Sequence, residues 1–209
     1  MQLSNAFSAS RLKIERARKH LSDLENLVND FVKEVVEVYP NSYDEIEVSH
    51  SAELLTDIAL TIGDVIHNVR SALDLLVCDV ARIRGCKSVP TSLSFPVCKT
   101  KSDLEARVNE IRGLIGDTVS NILVNDLKGY GECDGNALLC ALYELDISDK
   151  HKLLIPVLSQ AITTGLDAEN LTISFAKGQV LADEPVIPSL VKMIDLVASV
   201  VDKFDIFYG

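Results

Sequence analysis

Two long segments carry apolar residues at alternating spacings of three and four, and this pattern restricts the fold more than any other feature. In the first segment these positions are Ile14, Ala17, Leu21, Leu24, Val28, Phe31, Val35 and Val38. In the second they are Leu55, Ile58, Ile62, Val65, Val69, Ala72 and Leu76. Such spacing places the residues along one stripe of an α-helix. Because each stripe needs an apolar partner of similar length, we expect two long antiparallel helices in a bundle.

Residues that stop or start helices mark the ends of both segments. Pro40 ends the first helix, because proline cannot continue the hydrogen-bonded spiral. Ser51 is a suitable N-cap for the second helix, with Glu53 in its first turn, and Gly85 marks its end. Residues 45–48 form either a strand or an extended connector.

Shorter helices are expected after a loop at residues 86–101. Ser102 and Asp103 are the expected cap of one helix, and Gly116 and Asp117 precede another. A further helix starts at about residue 136 and ends before residue 156, with a break or restart expected at residue 148.

In the C-terminal part, the spacing of apolar residues changes from helical to alternating and then returns to helical. A β-strand is predicted by the alternating apolar positions Leu171, Ile173 and Phe175. A turn at residues 176–179 would return the chain as a hairpin through residues 180–182. The last helix carries Leu190, Ile194, Val197, Val201 and Phe204. We therefore predict a mainly α fold, formally α+β, as one domain over residues 1–209: a helical bundle with a small C-terminal β-hairpin.

Charge and cysteine content exclude several classes of protein. The net charge of −11 repels nucleic-acid phosphates, so we expect no nucleic-acid partner. No apolar stretch is long and uncharged enough to span a bilayer, so we expect no membrane partner. The five cysteines are odd in number and lack a Cys-x-x-Cys spacing, which favours free thiols and a cytoplasmic location.

Ionisable residues interrupt the most apolar part of the second helix. At about 100° per residue, His67, Arg70 and Asp74 lie on one flank that borders the buried face. Arg70 and Asp74 are four residues apart, so they can form an ion pair on their own helix. Gly63 lies on the same flank one turn earlier and leaves room for another backbone or a ligand.

A second charged segment lies at residues 143–152. Asp146 and Lys150 are again four residues apart, while Glu144 and His151 lie two turns apart on a different face. We expect the two segments to meet, because charges beside a helical core require partners or a ligand.

The functional interpretation is a site for a phosphate-bearing ligand, with metal-independent acid–base chemistry on it. Arg70 and Lys150 would bind the anionic group, and His67 and His151 would transfer protons. Asp74, Glu144, Asp146 and Asp149 would orient these groups or serve a structural role.

Other interpretations remain open. The same residues can form a structural network in a noncatalytic interaction protein, with the apolar C-terminal helix forming a homodimer. A metal site would use Asp64 and His67 with Glu144 and His151, but the repeated Glu-x-x-His of di-metal bundles is missing. We therefore expect no metal and no cofactor.

Both charged segments resemble motifs of a widespread bacterial protein family without an assigned activity. Its motifs, His-Asn-Leu-Arg-Ser-Ala-Leu-Asp and His-Glu-Leu-x-Asn-Ile-Asp-Lys-His-Arg, are similar to residues 67–74 and 143–152 here. Tyr143 stands where the family has histidine, and Lys152 where it has arginine.

The chain also resembles, more loosely, the helical HEPN-type domains, many of which are metal-independent ribonucleases. Their signature places four to six residues between an arginine and a following histidine. Arg16 and His20 come closest, with three residues between them, so the resemblance implies the bundle rather than the nuclease activity.

Overall fold

The computed structural model describes residues 6–38, 52–152, 157–161, 171–175 and 180–208. Helices dominate these residues, which confirms the predicted mainly α bundle. The elements in chain order are α1 (Ser8–Val38), α2 (Ala52–Ile83), α3 (Lys101–Ile115), α4 (Asp117–Asn121), a π-helix (Ile122–Leu127), α5 (Ala137–Lys152), β1 (Val157–Ala161), β2 (Leu171–Phe175) and α6 (Val186–Tyr208). The features predicted at Pro40, residues 45–48, Ser51, Pro156 and residues 176–179 lie outside the described residues.

The chain forms two compact units, and four helices pass from one unit into the other. Unit 1 contains Met1–Glu15, Asn68–Glu144 and Met193–Gly209, and unit 2 contains Arg16–His67 and Leu145–Lys192. Helix α1 begins in unit 1 and ends in unit 2, whereas α2 begins in unit 2 and ends in unit 1. Each unit thus contains a part of both long helices. The single domain stays a prediction.

Unit 1 is built around the second half of α2. Its largest fully buried side chains include Phe7, Leu73, Leu76, Phe95, Tyr130 and Phe204. Lys13 Nζ lies 3.2 Å from Asn68 Oδ1, which ties the start of α1 to the middle of α2. Arg11 adds ion pairs to Asp202 and Asp205 of α6, at 2.7 and 2.8 Å.

Unit 2 has its own apolar core. The buried side chains Leu24, Phe31, Ile58, Ile62 and Ile66 continue the two stripes of α1 and α2. Most of the described stripe positions in this unit are thus buried, whereas Leu21, Val28 and Leu55 are partly exposed.

Helix ends follow the sequence signals in one case and depart from them in another. Gly85 has φ +94° just after α2, and the N–H of Cys86 donates to the carbonyl of Ala81 at 3.0 Å. This pattern is a Schellman-type end that favours glycine. The cap predicted for α3 at Ser102 and Asp103 is wrong. Thr100 is the N-cap, and its Oγ1 accepts from the N–H of Asp103 at 3.1 Å.

Two further expectations are corrected. Helix α5 continues through Ser148 without the expected break. The partner of β2 is β1, in antiparallel register with Ser159 opposite Ile173, rather than residues 180–182. Ala182 contributes only an isolated bridge to Phe175. Alternation identifies a strand but not its partner, which the tertiary structure selects.

No helix within the described ranges combines the length and the apolar character that crossing a bilayer requires.

Candidate functional site

Arg70 lies at the centre of a buried polar contact in unit 1. Its side chain is only 6% exposed, and its Nη2 lies 3.0 Å from Asp74 Oδ1 and donates to the carbonyl of Phe95 at 2.8 Å. The N–H of Phe95 donates to the same Asp74 oxygen at 2.8 Å. The ring of Tyr143 lies 5.5 Å from the guanidinium carbon. We call Arg70, Asp74, Phe95 and Tyr143 the Arg70 clamp.

The Arg70 clamp fixes the segment before α3 to α2. The guanidinium and the carboxylate bind the carbonyl and the N–H of the same residue, so the main chain at Phe95 is satisfied from both sides. Nη1 of Arg70 is buried and has no hydrogen-bond partner among the described residues. This environment favours a structural role for Arg70, and its contact with a ligand stays a prediction.

A second group of ionisable side chains lies in unit 2. Its members, which we call the carboxylate cluster, are Asp64 and His67 of α2 and Asp146, Asp149 and Lys150 of α5. Asp146 Oδ2 accepts from Lys150 Nζ at 2.6 Å, which is the ion pair predicted from their spacing. Asp146 Oδ1 lies 3.5 Å from His67 Nδ1 and makes no hydrogen bond to a described residue.

Burial differs strongly between the two partners of this last contact. The side chain of Asp146 is 5% exposed, whereas that of His67 is 50% exposed. The distance of 3.5 Å exceeds that of a normal N–H···O bond, so the contact becomes an ion pair when the imidazole is protonated. A buried carboxylate therefore faces an imidazole that reaches solvent.

Asp149 fills the space that Gly63 leaves on α2. A Cβ built at Gly63 would lie 2.8 Å from Asp149 Cγ, which is too close for two carbon atoms. Gly63 therefore leaves room, but the occupant is the Asp149 side chain and not the backbone or ligand that was predicted. Burial raises the pKa of Asp149, and the neighbouring carboxylates Asp146 and Asp64 raise it further.

The described side chains of the carboxylate cluster carry an excess of negative charge. Its three carboxylates and one ammonium sum to two negative units with His67 neutral and to one with His67 protonated. An excess of negative charge attracts a cation more readily than a phosphate. Among the described residues, no group of three or more His, Cys, Asp or Glu side chains has a geometry that could hold a metal ion.

The remaining predicted site residues lie apart from these contacts or outside the described side chains. Glu144 is exposed in unit 1, and its charge acts on Cys140. Burial raises the pKa of the Cys140 thiol and Glu144 raises it further, which favours an inert cysteine. His151 belongs to α5, but its side chain lies outside the described ones, so its predicted approach to His67 stays a prediction.

Sequence reasoning missed two partners of Arg70. Phe95 contributes only main-chain atoms, which no residue pattern reveals. In the sequence, Tyr143 stands out only because it replaces the histidine of the similar family motif. It lies three residues before Asp146, and the planar ring suits a guanidinium better than an imidazole that can itself become charged.

The arginine and histidine nearest to the HEPN spacing do contact each other. Arg16 Nε lies 2.9 Å from His20 Nε2 on α1, and His20 Nδ1 lies 3.9 Å from Asp23 Oδ2. These contacts join residues one turn apart on a single helix. They do not change the spacing of Arg16 and His20, which is one residue shorter than the HEPN signature requires.

Comparison with known proteins gives no match to a protein-family model, to a curated protein or to a solved structure. The resemblances to the bacterial family and to HEPN-type domains therefore stay predictions.

Proposed function

We propose that this chain binds a small ligand at the carboxylate cluster and exchanges a proton with it through His67. The observation that carries the proposal is the pairing of the buried Asp146 carboxylate with the half-exposed His67 imidazole. The Asp146 carboxylate lies 3.5 Å from Nδ1 and favours the tautomer with its proton on that nitrogen, in which Nε2 carries the lone pair that accepts a proton. Asp146 thereby orients the His67 ring.

The charge of the cluster favours an amine or another organic cation as the ligand. Lys150, which the sequence assigns to an anionic group, already contacts Asp146 at 2.6 Å. Asp64 and Asp149 add negative charge around it. The phosphate-bearing ligand predicted from the sequence is the alternative outcome of the test below.

Histidine side-chain NMR tests the proposal. Propylammonium and inorganic phosphate are titrated separately into the protein, and the imidazole nitrogen signals of His67 are followed. We expect saturable shifts with propylammonium, and Asp146→Asn should change the tautomer ratio of His67 but not that of His20. An unchanged tautomer ratio would contradict the role of Asp146, and saturation by phosphate alone would reverse the ligand assignment.

A noncatalytic interaction protein is the second candidate. At the end of α6 two large apolar side chains adjacent in sequence are exposed, Ile206 by 84% and Phe207 by 49%. A homodimer through this end would cover them. Analytical ultracentrifugation of the wild type and of Ile206→Ser/Phe207→Ser tests it: a dimer lost in the variant supports this candidate, and a monomeric wild type contradicts it.

A cytoplasmic location also belongs to the proposal. All five cysteines are free thiols, which supports a reducing compartment.

A further inference from the structure

A polar groove runs along one side of unit 1, between α3 and the segment formed by α4 and the π-helix. Its volume is about 540 Å³. Polar and charged side chains make up most of its lining, chiefly Glu105, Asn109, Arg112, Asp117, Asn121 and Asn125. None of the residues discussed above as a candidate site lines it.

The π-helix contributes Val124 and Asn125 to this groove. Its wider turn is closed by the N–H of Lys128, which donates to the carbonyl of Leu123 at 3.1 Å. Lys128, which directly follows the π-helix, has φ +52°. Nζ of Lys203 in α6 lies 2.6 Å from Oδ2 of Asp126 in the π-helix. Short π-helical segments are rare in proteins, and those that occur are often found at functional sites. The π-helix beside this groove therefore indicates that the groove has a function.

The groove presents hydrogen-bonding groups with little net charge. Asn125 Nδ2 donates to Asn121 Oδ1 at 2.6 Å, which fixes the orientation of both carboxamides. Arg112 Nη1 donates to Asp117 Oδ1 at 3.3 Å, so these two charges offset each other. Glu105 is the one remaining charge among the lining residues that the structure describes.

Carboxamides contain both a donor and an acceptor, and so does every hydroxyl group. The oriented pair Asn121–Asn125 can therefore bind adjacent hydroxyls, one as donor and the other as acceptor. A polyanion is disfavoured because Arg112 is already paired with Asp117. A large apolar ligand is disfavoured because Val124 is the one apolar side chain among the described lining residues. The described lining contains no aromatic ring on which a nucleobase could stack.

We propose that this groove is a binding site for a neutral polyhydroxylated ligand, that is, a sugar. The carboxamides of Asn109, Asn121 and Asn125 bind its hydroxyls, and Val124 contacts the apolar face of the sugar ring. Because the groove is open and offers little apolar area, the affinity is modest, with a Kd of about 1 mM.

An amide NMR titration with glucose and with maltotriose tests this site. We expect saturable shifts confined to residues of α3, α4 and the π-helix, stronger for maltotriose. In Asn121→Ala/Asn125→Ala the affinity should fall about tenfold, since each lost hydrogen bond weakens binding severalfold. Asn26→Ala/Asn29→Ala, which changes two exposed asparagines of α1, should bind as the wild type does.

Three results would overturn the proposal: no saturable shift, equal affinity in the Asn121/Asn125 variant, or the same shifts produced by inorganic phosphate in place of the sugars. If Asn121→Ala/Asn125→Ala is misfolded, the exposed Asn109→Ala provides the same comparison without changing the π-helix.

Discussion

The guanidinium of Arg70 donates to the main-chain carbonyl of Phe95, which lies 25 residues further along the chain, at 2.8 Å. Asp74 accepts from the N–H of the same phenylalanine. Two charged side chains of α2 thus replace the hydrogen bonds that a strand or a helix would have given to this part of the chain. This arrangement explains why Arg70 and Asp74 occur in the apolar part of α2.

Replacing Arg70 should strongly destabilise the protein. Arg70→Met removes the donor to the carbonyl of Phe95 and the ion pair with Asp74, so the free energy of unfolding should fall by about 2–4 kcal/mol. Urea denaturation followed by circular dichroism measures it. The control is Arg82→Met, which breaks an exposed ion pair with Asp79 on the same helix and should cost less than about 1 kcal/mol. Equal stability of Arg70→Met and the wild type would refute the structural role.

Removing Asp74 should expose one particular amide to exchange. In Asp74→Ala the N–H of Phe95 loses its acceptor, so its hydrogen exchange should accelerate at least tenfold. The N–H of Leu93, which donates to the carbonyl of Pro90, serves as the internal reference. If both amides accelerate equally, global unfolding rather than the Arg70 clamp controls the exchange.

Gly63→Ala should lower the stability of the wild type but raise that of an Asp149→Ala variant. Glycine to alanine inside a helix normally stabilises by about 1 kcal/mol. In the wild type, Gly63→Ala places Cβ against Asp149 and should destabilise by about 1–3 kcal/mol. In an Asp149→Ala background the contact is gone, and the normal gain should return.

Gly113→Ala is the matched control for this experiment, because a Cβ at Gly113 of α3 meets nothing within 4 Å. Gly113→Ala should raise the stability of the protein both in the wild type and in the Asp149→Ala background. Thermal denaturation of the wild type and these variants at one pH measures the effects, and additive effects of Gly63→Ala and Asp149→Ala would show that the two residues do not touch.

The pH dependence of stability should contain a contribution from Asp149. Its pKa is raised in the folded protein, so folding favours the protonated carboxyl. The resulting destabilisation is absent below the unfolded pKa, grows as the pH rises through the folded pKa and is complete above it. Asp149→Asn should therefore raise Tm at neutral pH, and the gain should shrink on acidification. A gain that is larger in acid than at neutral pH would contradict the sign.

Helical content and boundaries were largely predictable, because they depend on local spacing. The stripe of α6, from Leu190 to Phe204, is buried throughout, and Gly85 follows the end of α2. The cap of α3 was misplaced because Thr100, Ser102 and Asp103 are all competent N-caps. Only the position of the first helical turn selects among them.

The ion pairs within one helix could be predicted from the sequence, but the contacts that bring residues of different elements together could not. Arg70–Asp74 and Asp146–Lys150 follow from a spacing of four on one helix. The contacts of Phe95 with Arg70, of Asp149 with Gly63 and of His67 with Asp146 join residues far apart in the chain. Their partners depend on how the helices and loops pack.

The sequence by itself determined where helices form, which faces they bury and which charges pair within one helix, since these follow from the periodicity of the backbone. The tertiary structure alone decided that Arg70 binds a main chain and that Asp146 faces His67. It also decided that the groove beside the π-helix is lined with carboxamides. Long-range contacts depend on the packing of whole elements, and no local spacing specifies that packing.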